Sequence, residues 1–460
     1  MKLIRGVGVV ALVCMVLAIP ARAAKITIGD SGGFVDVGVI AQTWARVTQD
    51  GSADHSGPSY DIFFRRMRIY VNGALNDRIG IIANTDVSYT QAGAAASDVV
   101  VSPVTQQNSV RFNSPTIVLN EALGYYSFCK ELIFMGGLQL IPWVRQTATD
   151  ITKFSAVDEQ GDITERGRPA GFFGRNRDLG LAFRGLLVNN IISYKLGVFN
   201  GVQSIAGKST ATASGLVTGA ANAAVNFPAY TGVNPGDAPS YDGYVRINFI
   251  GYEPDYSLLG IAYDGKSYFA IGTGANIQPR AIAASARGLS TATYQGYFAD
   301  LHLDLAFSDK LFEFVVEAGW VRTIYSGNGA PVSSANATGL ALINNAGTGF
   351  YGSIGLRIAW IYPYFAFEDY ISNLNGQNVQ STFLAFGTGG LPASGRVGSL
   401  QTYHGGLKFF VSPPPGNQFL IDLDIAFQNK ENAGLPTTAN DGAAINGNQW
   451  SGILEFQFKI

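Results

Sequence analysis

The sequence predicts an all-β fold: a transmembrane antiparallel β-barrel of about sixteen strands, with short periplasmic turns, long extracellular loops and one loop inserted as a constriction. Three observations predict it. Segments of alternating apolar and polar residues recur along the whole chain. The links between them alternate strictly between short and long. After the first 23 residues no apolar run approaches the roughly 18–20 residues of a membrane helix, so a membrane reading must rest on strands.

The first segment reads as a targeting peptide. Lys2 and Arg5 form a positive start, Val7 to Ile19 an apolar stretch, and Ala21-Arg22-Ala23 a small-residue cleavage signal. Residues 1–23 are therefore expected to be a signal peptide and 24–460 a single barrel, since no composition break marks a boundary. Charged residues make up only 14% of the chain against the usual quarter. Without Lys2, Arg5 and Arg22 the 31 basic residues become 28 against 33 acids, a net charge near −5, which excludes a nucleic-acid binder by global charge. Cys129 would be the one cysteine left, so no internal disulfide is expected.

The strands follow in order. Val35, Val37, Val39 and Ala41 alternate with Asp36, Gly38, Ile40 and Gln42. Phe63, Arg65, Met67, Ile69 and Val71 alternate with Phe64, Arg66, Arg68, Tyr70 and Asn72, and Asn76-Asp77 turns the chain. The period-two pattern continues through Leu179 to Leu187, Tyr297 to Phe307, Phe312 to Trp320, Phe419 to Phe427 and Trp450 to Ile460. Short links lie near Asn76-Asp77, Cys129-Glu131, Asn189-Asn190, Glu253-Asp255, Asp309-Lys310, Tyr362-Pro363 and Pro413-Asn417. Long ones cover roughly 48–60, 90–115, 141–177, 200–240, 265–293, 323–349, 371–400 and 429–448. Seven short and eight long links join sixteen strands. Trp44, Tyr70, Tyr89, Phe249, Tyr252, Trp320, Tyr325, Tyr362 and Trp450 fall near strand ends and suggest interfacial girdles.

Period two also sorts the charges by face. Opposite the apolar stripes stand Arg46, Arg66, Arg68, Arg184, Lys195 and Arg246, joined later by Arg357 and Lys408. The same rule turns Asp300, Asp304, Glu313, Glu317, Glu368, Asp422 and Asp424 inward. One half of the lumen is thus expected to be rich in arginine and the other in carboxylates. A transverse field between such walls would orient dipolar solutes. The simpler reading is that these charges pair with neighbours and brace the wall. The loop 141–177 holds Arg145, Lys153, Arg166, Arg168, Arg175 and Arg177, with acids clustered at 158–165. A long charged loop in an otherwise short-linked chain is expected to fold into the lumen and narrow it. Its arginines suit oxyanions because a planar guanidinium binds them bidentately.

No catalytic or metal site is read, and no cofactor is expected. His55, His302 and His404 lack metal-binding spacing, and no triad can be placed. Gly201 to Ser209 nearly spells a phosphate-binding loop but has five residues between its glycines where four are required.

Several stretches resemble the phosphate-selective porin O and P family. They are Phe63-Phe64-Arg65-Arg66-Met67-Arg68-Ile69 with Gly73, Gly136-Gly137-Leu138-Gln139-Leu140-Ile141-Pro142 and Glu165-Arg166. Arg177-Asp178-Leu179-Gly180, Gly197-Val198-Phe199-Asn200-Gly201 and Tyr403-His404-Gly405-Gly406-Leu407-Lys408-Phe409-Phe410 complete the set. The resemblance implies a sixteen-stranded trimeric barrel in a Gram-negative outer membrane that passes small hydrophilic solutes, anions such as phosphate among them. It implies outer-membrane lipid as the surroundings and a constriction loop at 141–177. The pore-lining, anion-binding set is then Arg66, Arg68, Arg166, Arg168, Arg175, Arg177, Arg184, Lys195 and Arg246, faced by an acidic wall of Asp300, Asp304, Glu313 and Glu317. The lumen is not plainly basic, so a modest anion preference is expected rather than a phosphate filter. The alternative is a barrel serving as a surface receptor, or as a scaffold or sheath around a partner protein.

Overall fold

The computed structural model describes residues 24–28, 32–49, 58–88, 116–149, 153, 177–201, 238–253, 259–260, 264–283, 291–307, 312–326, 347–372, 378–380, 394–396, 400–411, 419–429 and 449–459. The expected signal peptide, residues 1–23, lies outside them.

Sixteen strands close a barrel. They begin with β1 (Gly33–Thr48), β2 (Ser59–Ala74), β3 (Ile79–Ser88) and β4 (Thr116–Cys129). Next come β5 (Leu132–Leu140), β6 (Arg177–Leu187), β7 (Ile192–Phe199) and β8 (Ser240–Ile250). The third quarter is β9 (Tyr268–Ala283), β10 (Thr291–Phe307), β11 (Phe312–Ser326) and β12 (Gly347–Ile358). The last is β13 (Ile361–Ser372), β14 (Leu400–Phe410), β15 (Phe419–Asn429) and β16 (Gln449–Lys459). Each pairs antiparallel with its sequence neighbours, and β16 pairs with β1 from Ser451↔Thr48 to Lys459↔Ile40. Beyond Ile40 the same edge of β1 is taken by a short strand, Ala24–Ile28, which pairs with Gly33–Val37 and continues the seam below β16. Closure leaves the sixteen strands no open edge to solvate, which a lipid environment requires.

The burial pattern is inverted relative to a soluble sheet. On β6, Leu179, Leu181 and Phe183 are exposed on the outside while Asp178 and Ala182 are buried on the inside. On β15, Leu423, Ile425 and Phe427 are exposed while Asp422 and Asp424 are completely buried. An apolar outer face and a polar inner face make an outer-membrane barrel.

Close packing on the inner face explains many of the inward glycines. The rings of Tyr244, Tyr351, Tyr362 and Tyr364 lie against Gly272, Gly319, Gly355 and Gly406, where a Cβ would overlap them. At the β2–β3 turn the Asn76 side chain accepts the backbone N–H of Arg78 at 2.9 Å and of Ile79 at 3.0 Å, as an Asx turn requires. The β6–β7 turn places Val188, Asn189 and Asn190 at positive φ, which asparagine tolerates well.

The structure corrects the sequence reading at four places. The β8–β9 link is not a tight turn near residue 254 but covers 251–267, and β9 occupies Tyr268–Ala283, within the span read as a loop. Gly272, Gly274 and Asn276 weaken the apolar alternation of β9. The β12–β13 turn is Ala359-Trp360, and Pro363 sits inside β13 with its ring facing outward, where it marked a false turn. A bulge on β2 reverses its faces: Gln42 pairs with Arg66 but Thr43 pairs with Phe64, leaving Arg65 extra. Phe64 therefore points outward, and Arg65 lies 5.1 Å from the Trp44 ring on the inside. Finally, Trp44 and Tyr362 are buried rather than part of an outer girdle, whereas Phe249, Tyr252 and Trp450 are exposed.

Candidate functional site

The inner wall has a basic side on β2 and β6–β8. Arg66, Arg68, Lys195 and Arg246 are buried there and Arg184 is half-buried. Short-range partners hold them. Arg66 donates to Gln42 Oε1 at 3.3 Å, Arg68 lies 3.4 Å from Asp86, and Arg177, the first residue of β6, lies 3.3 Å from Glu121. Lys195 Nζ donates to the Leu140 carbonyl at 2.6 Å. Arg166, Arg168 and Arg175 lie outside the described residues.

The acidic side is paired in the same way. Glu313 accepts from Arg357 at 3.0 Å and Asp422 lies 3.2 Å from Lys408, whereas Asp304 is fully buried beside a second carboxylate, Glu313. Asp424 accepts from the Tyr364 hydroxyl at 2.6 Å and lies 3.0 Å from His404 Nδ1. The two walls are therefore studded with local ion pairs and hydrogen bonds. Their long-range fields partly cancel, and screening limits the rest beyond about 8 Å at physiological salt.

What occupies the lumen is the start of the 141–177 loop. The chain leaves β5 at Leu140, and Pro142 directs it inward. Asn276 on β9 fixes the turn by donating to the Pro142 carbonyl at 2.9 Å. Residues Arg145–Ala148 form one turn of 3-10 helix. This arm presses an apolar face on the wall: Trp143, Val144 and Ala148 bury against Tyr244, Phe298, Val321 and Tyr351. The Trp143 and Phe298 rings are 5.0 Å apart, and the indole covers Gly296, where a Cβ would lie 2.6 Å from it.

Leu259 and Gly260, in the link between β8 and β9 at the opposite end of the barrel, lie at the same place. Leu259 belongs to the arm's apolar cluster and forms an isolated parallel bridge with Thr149. Gly260, at φ +130°, fits beneath the arm; a Cβ there would lie 2.6 Å from Lys153 Cβ and 2.8 Å from Thr149 Cγ2. Arg145 ties everything together. Both its terminal nitrogens bond the Glu253 carboxylate, one at 2.7 Å. Its Nε donates to Glu317 at 3.0 Å, and its backbone N–H donates to Asp300 at 3.2 Å. Glu253 also accepts from Arg246 at 2.8 Å and from the Gly260 N–H at 3.2 Å. His302 Nδ1 lies 3.3 Å from Glu317. Burial alone would raise the Glu253 carboxyl, but the Arg145 and Arg246 guanidiniums hold it well below the usual glutamate range. Burial would lower the Arg145 guanidinium, and Glu253 and Glu317 hold it above its ordinary value instead.

Of the residues singled out in the sequence, the structure brings Arg246, Asp300 and Glu317 together around Arg145. It leaves Arg66, Arg68 and Arg184 on other parts of the wall. Sequence reasoning missed Arg65, Trp143 and Glu253 as inner-face residues and noted Arg145 only as one loop arginine. The apolar pair Trp143-Val144 just after Pro142, in a polar loop, was the available signal. Among the described residues no group of three His, Cys, Asp or Glu side chains is placed to hold a metal.

The Arg177-Asp178-Leu179-Gly180 and Gly197-Val198-Phe199-Asn200-Gly201 motifs, at the two ends of the β6–β7 hairpin, meet in space. Asp178 accepts the N–H of Leu179 at 2.7 Å and of Gly201 at 2.6 Å, and the Asn200 N–H donates to the Leu179 carbonyl at 3.0 Å. They form a joint at the mouth of the β6–β7 hairpin rather than a ligand site.

No protein-family model matches the chain, and no curated protein matches it in sequence. Solved structures do match in fold. An anion-selective porin from Comamonas acidovorans is 10% identical, with 93% of this chain and 100% of that one covered at a TM-score of 0.50. OprB of Pseudomonas putida is 9% identical, with 93% and 94% covered at a TM-score of 0.51. The chain thus has the fold of the outer-membrane porins, and its apolar outer face suits a Gram-negative outer membrane.

Proposed function

We propose that this protein is an outer-membrane porin: a water-filled channel for passive diffusion of small hydrophilic solutes. The observation that carries this reading is the arm 141–149 packed on the inner wall of a closed barrel, since an inserted segment narrows a pore and defeats a sheath, which needs an empty lumen. Export through a signal peptide at 1–23 and assembly as a homotrimer belong to the same proposal, as do the pore-lining roles of Arg66, Arg68, Arg166, Arg168, Arg175, Arg177, Arg184, Lys195 and Arg246. Membership of the phosphate-selective porin O and P family rests on the quoted motifs.

The selectivity proposed is a modest preference for anions, phosphate among them. Arg65 adds a guanidinium beside Arg66 and Arg68, and a planar cation close to the path favours oxyanions. The pairing of both walls argues against a dedicated filter. Reversal potentials in a KCl gradient test it. Weak anion selectivity is expected, and neutralising Arg66, Arg68, Arg166 and Arg168 together should reduce it. A cation-selective wild type, or a fourfold variant with unchanged selectivity, contradicts it. For the trimer, a mild-detergent mass of three chains is expected, and a single-chain mass overturns it.

A further inference from the structure

We infer that Glu253, Leu259 and Gly260 of the β8–β9 link form a second constriction element, clasped to the arm through Arg145 and Glu253, and that this clasp sets both the width and the charge balance of the pore. The inference rests on the channel reading above and extends it to a link from the opposite, short-turn side of the barrel.

Three independent features place these residues of the link in the lumen. Leu259 completes an apolar cluster whose other members come from the arm and from β5, β8 and β10–β12. Gly260 has a backbone that side chains rarely adopt and no room for one against Thr149 and Lys153. Glu253 is buried and bonded to two guanidiniums from separate elements, Arg145 on the arm and Arg246 on β8. A turn that only reverses the chain needs none of these.

The clasp also decides which wall charges a solute meets. Arg145 neutralises Glu317 and part of Glu253, and Glu253 in turn neutralises Arg246. Arg145 and Glu253 are positioning residues: they hold the arm and link together, and their charges are balanced only while both are present. Losing the Glu253 carboxylate removes the acidic partner of Arg246 and leaves Arg145 with Glu317 alone, so the constriction gains positive charge. Losing Arg145 exposes carboxylates instead.

The first test fixes the geometry without relying on transport. In a Cys129→Ser background, Thr149→Cys with Leu259→Cys places two thiols at a bridge pair, with backbones about 4.8 Å apart, inside the range of about 4.4–6.8 Å that a disulfide spans. Oxidation should cross-link the folded barrel. Absence of a cross-link in protein that retains heat-modifiable migration overturns the inference and leaves the channel reading standing. A cross-link in a protein that never conducts supports the docked link and removes the channel reading.

The second test reads function. Glu253→Gln and Arg145→Gln should each raise unit conductance. Their reversal potentials should move in opposite directions, toward anions for Glu253→Gln and toward cations for Arg145→Gln. The double variant should return to the wild-type reversal potential while keeping the larger conductance. Gly260→Val supplies an uncharged control: conductance should change while reversal potential holds. Shifts of the same sign in both single variants, or unchanged conductance in all of them, overturn the inference.

Discussion

Arg145 shows how much chemistry one loop residue carries here. It is almost wholly buried, and its partners Glu253, Asp300 and Glu317 lie 108, 155 and 172 residues away in sequence. No local pattern could have joined them; only barrel closure does. Removing Glu253 takes away the bidentate partner of this buried guanidinium, and breaking a buried ion pair costs about 3–5 kcal/mol. The pH behaviour follows from the depressed carboxyl of Glu253. Its contribution is complete above the unfolded value of about 4.3 and is lost only as pH falls through the lower folded value. The conductance difference between wild type and Glu253→Gln should therefore stay constant from about pH 8 to about pH 5. A wild type that converges on the variant near pH 6 contradicts this. Trp143 is the apolar counterpart of the clasp. Trp143→Ala should cost about 3–5 kcal/mol of local packing, read as noisier and larger current steps from a barrel that still assembles. Steps identical to wild type would show that the arm does not depend on the indole.

At the scale of elements, strand existence was legible because a membrane barrel enforces period two on most strands. What failed has local causes. β9 places Gly272 and Gly274 under the rings of Tyr244 and Phe298, so its alternation fades, and Pro363 sits harmlessly on an outward position of β13. The bulge at Arg65 was hidden because Phe63-Phe64-Arg65-Arg66 reads equally well in either register. The Arg-Asp-Leu-Gly and Phe-Asn-Gly motifs were visible as motifs, but their job was not. Asp178 closes the β6–β7 mouth by accepting two backbone N–H groups. Asp178→Ala should leave both donors unsatisfied, at about 1–3 kcal/mol. The temperature of the heat-induced migration shift should fall. An unchanged temperature would mean water replaces the carboxylate without loss.

Taken whole, the molecule solves two solvation problems at once. Outside, residues such as Leu181, Phe183, Ile354 and Ile425 face lipid. Inside, arginines and carboxylates are held in short-range pairs, so the wall can be charged without a steep net field. The overall class was readable because link-length alternation and face polarity are global constraints that survive local noise. The narrowing was only half readable: the arm announced itself by length and charge, while the 251–267 link resembled a turn followed by a strand. A porin requires the lumen to be an open path for ions. Purified protein reconstituted in planar lipid bilayers measures that directly. Steady, ohmic unit steps are expected, larger in Glu253→Gln than in wild type; a correctly folded barrel that stays electrically silent in both forms would contradict it.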